Sequence, residues 1–332
     1  MVDILNKNKK TKCLLVYSGG LDSTLAAKVL EAQGVEVTAI NFVSYFFGSK
    51  QARETAWENN LKLIIHDDNE FKKKHWDLIQ KPVYGHGKAI NPCIDCHLLM
   101  FKTAGEMMKR EGWDFIATGE VLGERPLSQN ARALTLIEKE CGIAGKLLRP
   151  LSAKLLEPTI PEKEGLVDRE KLLDLSGRGR TRQIELAEKY GIKVYPTPAG
   201  GCILTEKNFA KKLRELMEKI GAENISQNEI NLLKLGRHLW YNLEGKYQAK
   251  ITIGRNQKED EEMEKLLQNE DVLIVPKNFP GPSVLIRVYA AKDGLILENE
   301  AKRLIIKYSK GGKNVKFEDL FFNVKKYNCS CK

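Results

Sequence analysis

Seven cysteines occur in the chain, and three of them sit in settings suited to chemistry. Cys93 and Cys96 form a C-x-x-C pair in "NPCIDCHLLMFK" (91–102), and Cys202 follows paired glycines in "GGCILT". At a turn or helix start, C-x-x-C lets two thiolates converge, and a third from a distant loop closes one face of a metal site. Thiolates are soft ligands suited to iron–sulfur clusters or zinc. Three on a cubane leave one iron open. Structural zinc would want a fourth protein ligand, and His97, next to Cys96, is awkwardly placed to supply it. In a reducing compartment an odd cysteine count with C-x-x-C reads as metal or redox chemistry rather than a disulfide framework. Cys13 reads as a thiol at the start of a buried strand, and Cys141 as a helix cap before Gly142. Cys329 and Cys331 lie in the tail "NCSCK" and would relay sulfur, bind metal or be idle.

A second string, "VYSGGLDSTLAAKVL" (16–30), joins an apolar run to a helical pattern through two glycines. Backbone N–H groups of Ser18 to Ser23, with the positive end of the following helix, form a nest for phosphate oxygens. Ser18, Ser23 and Thr24 add hydroxyls, and Gly19 and Gly20 let the backbone come close. No G-x-x-x-x-G-K-[ST] string occurs, so γ-phosphate chemistry of the Walker type is not expected. A lysine-free loop suits a different task, holding pyrophosphate as it leaves while chemistry occurs at the α-phosphorus.

The elements that must position these residues read as α/β. "KCLLVYS", "VEVTAINFV", "LKLIIHD" and "DFIATGE" are short strands alternating with the helical stretches 22–33, 49–60 and 98–110, which predicts a parallel sheet covered on both faces. Ligands of such sheets bind beyond the carboxyl ends of the strands, where Ser18, Phe42 and Thr118 fall. After "YPTPAGG" (195–201) a helical stretch runs to Gly221. From Ile225 the texture becomes short alternating strands around the acidic helix "QKEDEEMEKLLQ". The expected division is a catalytic domain over 1–205, a linker helix over 206–226 and a smaller α+β domain over 227–332.

The 332 residues carry a net charge of +10, which fits a polyanionic partner. Arg125, Arg149, Arg178, Arg180 and Arg182 are candidates for RNA phosphates because guanidinium forks suit them. No apolar run approaches the roughly 20 residues of a membrane helix, and the N-terminus lacks a signal peptide's h-region, so a cytoplasmic protein with no membrane partner is expected.

"SGGLDST" resembles the signature of the PP-loop ATP pyrophosphatases (adenine nucleotide alpha hydrolase-like), which adenylate a carbonyl or carboxylate oxygen and release pyrophosphate. The resemblance implies ATP on Ser18, Gly19, Gly20, Asp22, Ser23 and Thr24, with Asp22 at magnesium-bound phosphates. "ATGE" (117–120) resembles a second family element lining the nucleotide, which adds Thr118 and Gly119. "NPCIDC" resembles the N-P-D-x-x-C-N segment of tRNA 2-thiouridylases and implies catalytic roles for Cys96 and Cys202. The family's Asp position is Cys93 here, and the resulting trio resembles that of iron–sulfur-dependent tRNA thiolases. Residues from "GRHLWYN" to "FPGPSVLIRV" resemble the RNA-binding domain of NFACT proteins, with Trp240, Tyr241 and Phe279 as stacking or core residues.

Together these imply an ATP-dependent tRNA uridine thiolase using Mg2+ and a [4Fe-4S] cluster on Cys93, Cys96 and Cys202, with Zn2+ or persulfide chemistry as alternatives. Its sulfur would come from free sulfide or a persulfide carrier. Two other readings stay open: a PP-loop ligase or amidotransferase with zinc at the thiols, and a non-catalytic RNA-binding protein.

Overall fold

The computed structural model describes residues 10–143, 145–196, 201–242, 248–289, 294–309 and 320–327. The chain separates into two compact units, Met1–Thr205 and Glu206–Lys332. The sequence expectations at Cys329 and Cys331 lie outside the described residues.

The first unit runs β1 (Lys12–Val16), α1 (Leu21–Glu31), β2 (Glu36–Phe42), α2 (Lys50–Glu58), β3 (Lys62–His66), α3 (Asn69–Gln80), α4 (Cys93–Glu111), β4 (Phe115–Thr118), α5 (Ala131–Glu140), β5 (Leu147–Leu148), α6 (Ile160–Lys163) and α7 (Thr181–Lys189). Its strands form one sheet in the order β3-β2-β1-β4-β5, and every pairing is parallel. Side chains alternate across it with the two-residue period of a strand: Cys13 and Leu15 enter one core with α1 and α7, while Leu14 enters the other with α3, α4 and α5. Cys141 caps α5, as its place before Gly142 predicts, and Gly142 takes φ 73.

The strand order decides where a ligand can go. From β1 the chain builds outward through β2 to β3, then returns to the other side of β1 with β4. The crevice between β1 and β4, at their carboxyl ends, is the topological switch point of such a sheet. It is flanked by the Ser18–Gly20 loop and the segment after Thr118.

The second unit runs α8 (Lys207–Ile220), α9 (Gln227–Lys234), β6 (Arg237–Asn242), β7 (Gln248–Ile253), α10 (Gln257–Lys265), β8 (Val272–Pro276), β9 (Val284–Val288), α11 (Glu298–Tyr308) and β10 (Phe322–Lys326). Its sheet has the order β10-β8-β9-β7-β6 and is antiparallel throughout. A buried ionic group pins α9 to it: Glu229 accepts from Lys250 Nζ at 2.6 Å, Arg287 Nη1 at 2.8 Å and the Tyr289 hydroxyl at 2.8 Å. Tyr241 and Phe279 are half-buried against the core of this unit, and the Tyr241 hydroxyl donates to Glu300 at 3.1 Å. They pack the domain and are not free stacking platforms. Trp240 is half-buried as well, its ring 5.6 Å from that of Tyr289.

Candidate active site

The loop after β1 is held by contacts that tolerate only glycine. Gly19 has φ 79, and a Cβ there would lie 2.7 Å from the Ala52 backbone on α2. Ser23 Oγ donates to Gly20 O at 3.0 Å, and Ser18 Oγ accepts from Gly20 N at 3.2 Å, so the two serines brace the turn. Ser18 is exposed and Ser23 is buried at the start of α1. Thr24 is placed differently from the expectation. It is fully buried, donates to Gly20 O at 3.0 Å and meets the Tyr17 hydroxyl at 2.9 Å, so it supports the loop from beneath. Phe42 does end β2 as expected, but it is buried and its ring stacks on Phe71 at 4.9 Å in the core. Thr118 is buried, and its hydroxyl accepts from Glu120 N at 3.2 Å, which shapes the turn after β4.

Gly119 lies directly against the first turn of α1. A Cβ on it would meet Ser23 N at 2.5 Å and Ser23 Cα at 2.6 Å. Asp22 sits beside that contact. Its Oδ2 receives Arg180 Nη2 at 3.5 Å, while its Oδ1 is buried and has no hydrogen-bond partner. Burial raises the Asp22 pKa, opposed by the charges of Arg180 and Arg125. Glu124, raised mainly by burial and next by Asp22, completes a group of two carboxylates and two guanidiniums around the loop. The grouping of Glu124, Arg125 and Arg180 around Asp22 was not legible in sequence. No local motif marks them, and Arg180 reaches Asp22 from a loop far along the chain.

The thiols gather at the start of α4. Cys93 and Cys96 occupy its first turn, opened by Pro92. Asn91 Nδ2 donates to Cys93 Sγ at 3.1 Å. Asp95, between the cysteines, is buried and accepts from Val83 N at 2.9 Å and Tyr84 N at 3.1 Å, so it ties down the preceding loop. A short turn at Ile203–Thr205 places Cys202 nearby, with Ile90 N donating to Leu204 O at 3.2 Å. Burial pushes the Cys96 thiol well above its ordinary range, and the neighbouring Cys202 and Cys93 raise it further. Cys202, far along the chain from the C-x-x-C pair, thus stands near enough to Cys96 to disfavour its thiolate.

One chain of contacts joins the thiols to the loop. His97, next to Cys96, donates Nδ1 to Glu120 Oε1 at 2.7 Å. Glu120 follows Gly119, whose backbone touches Ser23. Arg149 anchors this link: it donates Nε to Glu120 Oε2 at 3.0 Å and pairs with Glu138 at 3.2 Å. Burial opposes ionisation of Glu120, but Arg149 and His97 outweigh it and hold the carboxyl below its ordinary range. Arg149 is buried and committed, which removes it from the candidates for RNA phosphates. Arg182, exposed, pairs with Asp174 at 2.7 Å, and Arg178 is exposed.

Among the described residues, no group of three or more His, Cys, Asp and Glu side chains is gathered tightly enough to hold a metal ion. Tetrahedral zinc needs thiolate sulfurs about 3.7 Å apart, from Zn–S bonds of about 2.3 Å. A multinuclear iron–sulfur cluster binds each thiolate to a different iron and accepts a wider spread. Three thiols match the donor set of a three-thiolate cluster, and His97, whose Nδ1 bond to Glu120 leaves Nε2 with a lone pair, keeps a four-ligand zinc site open as well. The unpartnered Asp22 Oδ1 is a hard oxygen donor of the type magnesium takes.

Residues 8–155 match the ThiI family, described as thiamine biosynthesis protein. This ThiI-type segment contains the Ser18–Ser23 loop, Gly119, and the Cys93 and Cys96 pair. Residues 236–328 match the NFACT protein RNA binding domain. A tRNA-specific 2-thiouridylase of Bacteroides fragilis is 32% identical over 118 residues, covering 34% of this chain and 32% of that protein. One of Pediococcus pentosaceus is 25% identical over 224 residues, covering 63% of this chain and 56% of its own length. The chain thus spans about a third to just over half of the curated relatives it matches. A crystal structure of a 4-thiouridine synthetase–RNA complex with bound ATP aligns at 22% identity and a TM-score of 0.40, over 63% of this chain and 50% of the other.

Proposed function

We propose that the protein is an ATP-dependent tRNA uridine thiolase. The observation that supports the proposal most is the His97–Glu120 bond together with the Gly119–Ser23 contact, which links the segment next to Cys96 to the proposed phosphate loop. Similarity of the ThiI-type segment to tRNA thiouridylases supports the substrate class. The NFACT-type match and the net charge of +10 support RNA as the partner.

The loop from Ser18 to Ser23, at the positive end of α1, receives the β- and γ-phosphates. Asp22 offers Oδ1 to the magnesium that accompanies them, which when bound offsets phosphate charge. A uridine carbonyl oxygen attacks the α-phosphorus, pyrophosphate leaves, and the N3 proton is shed. Hydrosulfide then forms the carbon–sulfur bond as the carbon–oxygen bond breaks; from a persulfide donor it is released by a second thiol, which is oxidised to a disulfide with the donor's thiol. The oxygen departs on AMP, and the proton carried by the hydrosulfide returns to N3. Adenylation is needed because an unmodified carbonyl oxygen is a very poor leaving group.

Cys93, Cys96 and Cys202 would hold a [4Fe-4S] cluster. When bound, such a cluster supplies an iron without a protein ligand, at which a sulfur nucleophile can be kept. Asn91 orients Cys93, Asp95 fixes the loop in front of it, and Glu120 with Arg149 keeps His97 and the start of α4 in place. Nucleoside mass spectrometry of tRNA from a deletion strain tests the proposal. One thiolated uridine should vanish and return on complementation with the wild type but not with Cys96→Ala. Unchanged nucleosides would refute it.

A further inference from the structure

The loop after β1 lacks the lysine with which many nucleotide loops meet phosphate charge, yet two guanidiniums stand near it. Arg180 is engaged at Asp22, on the α1 side. Arg125 occupies a different place. Its Nη1 lies 3.7 Å from where a Cβ on Gly201 would be, next to Cys202. The segment carrying it is fixed by backbone bonds from Gln129 N to Arg125 O at 2.9 Å and from Gly123 N to Gln129 O at 2.7 Å. Arg125 is exposed and has no carboxylate within ion-pair distance among the described residues. The segment that carries it leads from Gly119, packed against Ser23 at the start of α1, to the turn beside Gly201.

Resting on the thiolation reading, we infer that Arg125 holds the α-phosphate, the group that leaves as AMP when sulfur displaces the activated oxygen. The nest at Ser18–Ser23 is suited to the pyrophosphate portion, which puts the α-phosphate on the thiol side, where the acceptor must meet both reactants. An exposed fork without a carboxylate partner is free to take two phosphate oxygens in parallel. The same contact gains strength as charge accumulates on the AMP phosphate while the carbon–oxygen bond breaks, so it favours the displacement of oxygen by sulfur at the uridine carbon. Arg125 is thus a catalytic residue that bridges the half-sites, whereas Arg180 serves the pyrophosphate end through Asp22.

Calorimetric titration of the full chain with adenosine, AMP and ATP, each as a separate probe, tests this without requiring turnover. Arg125→Ala should weaken AMP binding about 10- to 100-fold, the range of a lost hydrogen bond to a charged group, and leave adenosine binding unchanged. Arg125→Lys should recover part of the loss, and millimolar guanidinium should restore AMP affinity to Arg125→Ala. The unchanged adenosine titration shows that the variant is folded. Equal AMP affinity in wild type and Arg125→Ala overturns the inference, as does a parallel loss of adenosine and AMP binding. If the AMP effect appears but no thiouridine forms from tRNA, ATP and sulfide, the thiolation reading fails while the phosphate contact stands.

Discussion

Replacing Gly119 by alanine probes the joint between β4 and the Ser18–Ser23 loop with one added carbon. That carbon would lie 2.5 Å from Ser23 N and 2.6 Å from Ser23 Cα, and both neighbours are backbone, with no flexible side chain to swing aside. Ordinary contact begins at 3.4 Å, so the first turn of α1 must retreat by about 0.9 Å (3.4 − 2.5). Overpacking of this kind costs about 1–3 kcal/mol. Each kcal/mol lowers Tm by about 2–4 °C in a chain of this class. A misplacement near 1 Å in a site that must align attacking and leaving groups costs about 10²-fold in rate. Gly48→Ala is the control, because no heavy atom lies within 4 Å of a Cβ there and its φ is not left-handed. That change should stay within about 0.5 kcal/mol. Thermal melts and ATP titrations of both variants decide the matter. If Gly119→Ala melts and binds ATP like Gly48→Ala, the loop does not depend on this contact.

Other consequences follow from the same site. The Glu120 carboxyl sits below its ordinary value of 4.5, so its stabilisation is complete above that pH and disappears as pH falls through the lower folded value. Melts between pH 6 and 3 should therefore show a steeper loss in the wild type than in Glu120→Gln, and equal slopes would contradict the link to Arg149 and His97. Arg149→Met leaves Glu120 buried without its main partner and should cost about 3–5 kcal/mol in urea denaturation, an effect that an exposed arginine would not show. In the second unit, Glu229→Ala strands the buried Lys250, while Arg287 keeps Asp271, and should cost about 3–5 kcal/mol, visible by calorimetry. Anaerobic reconstitution should load about four irons per chain, and Cys93→Ala, Cys96→Ala and Cys202→Ala should each lose them. A full iron and sulfide load in those variants would exclude the cluster.

What could be read from the sequence follows physical range. β1 and α1 announce themselves because apolar runs, paired glycines and helical spacing are local, and the α/β class follows from their alternation. The C-x-x-C pair is local too, and its place in the first turn of α4 follows from Asn-Pro before it. The strand order was not legible, since pairing β4 beside β1 is a long-range choice. Helices such as α3, α5 and α7 were missed where charged residues blur the apolar stripe. The misread positions have one cause. Thr24, Phe42 and Arg149 have residue types that suit ligand contact, and only packing reveals that all three are buried and spoken for. Conversely Glu120, Glu124 and Arg180 acquire meaning from neighbours that no spacing rule brings together.

The most direct test of the central claim is the stoichiometry of a single reaction mixture containing the reconstituted protein, under-modified tRNA, ATP, magnesium and sulfide. Thiouridine, AMP and pyrophosphate should appear one for one for one, with no ADP. Formation of ADP and phosphate, or thiouridine without AMP, would contradict the account.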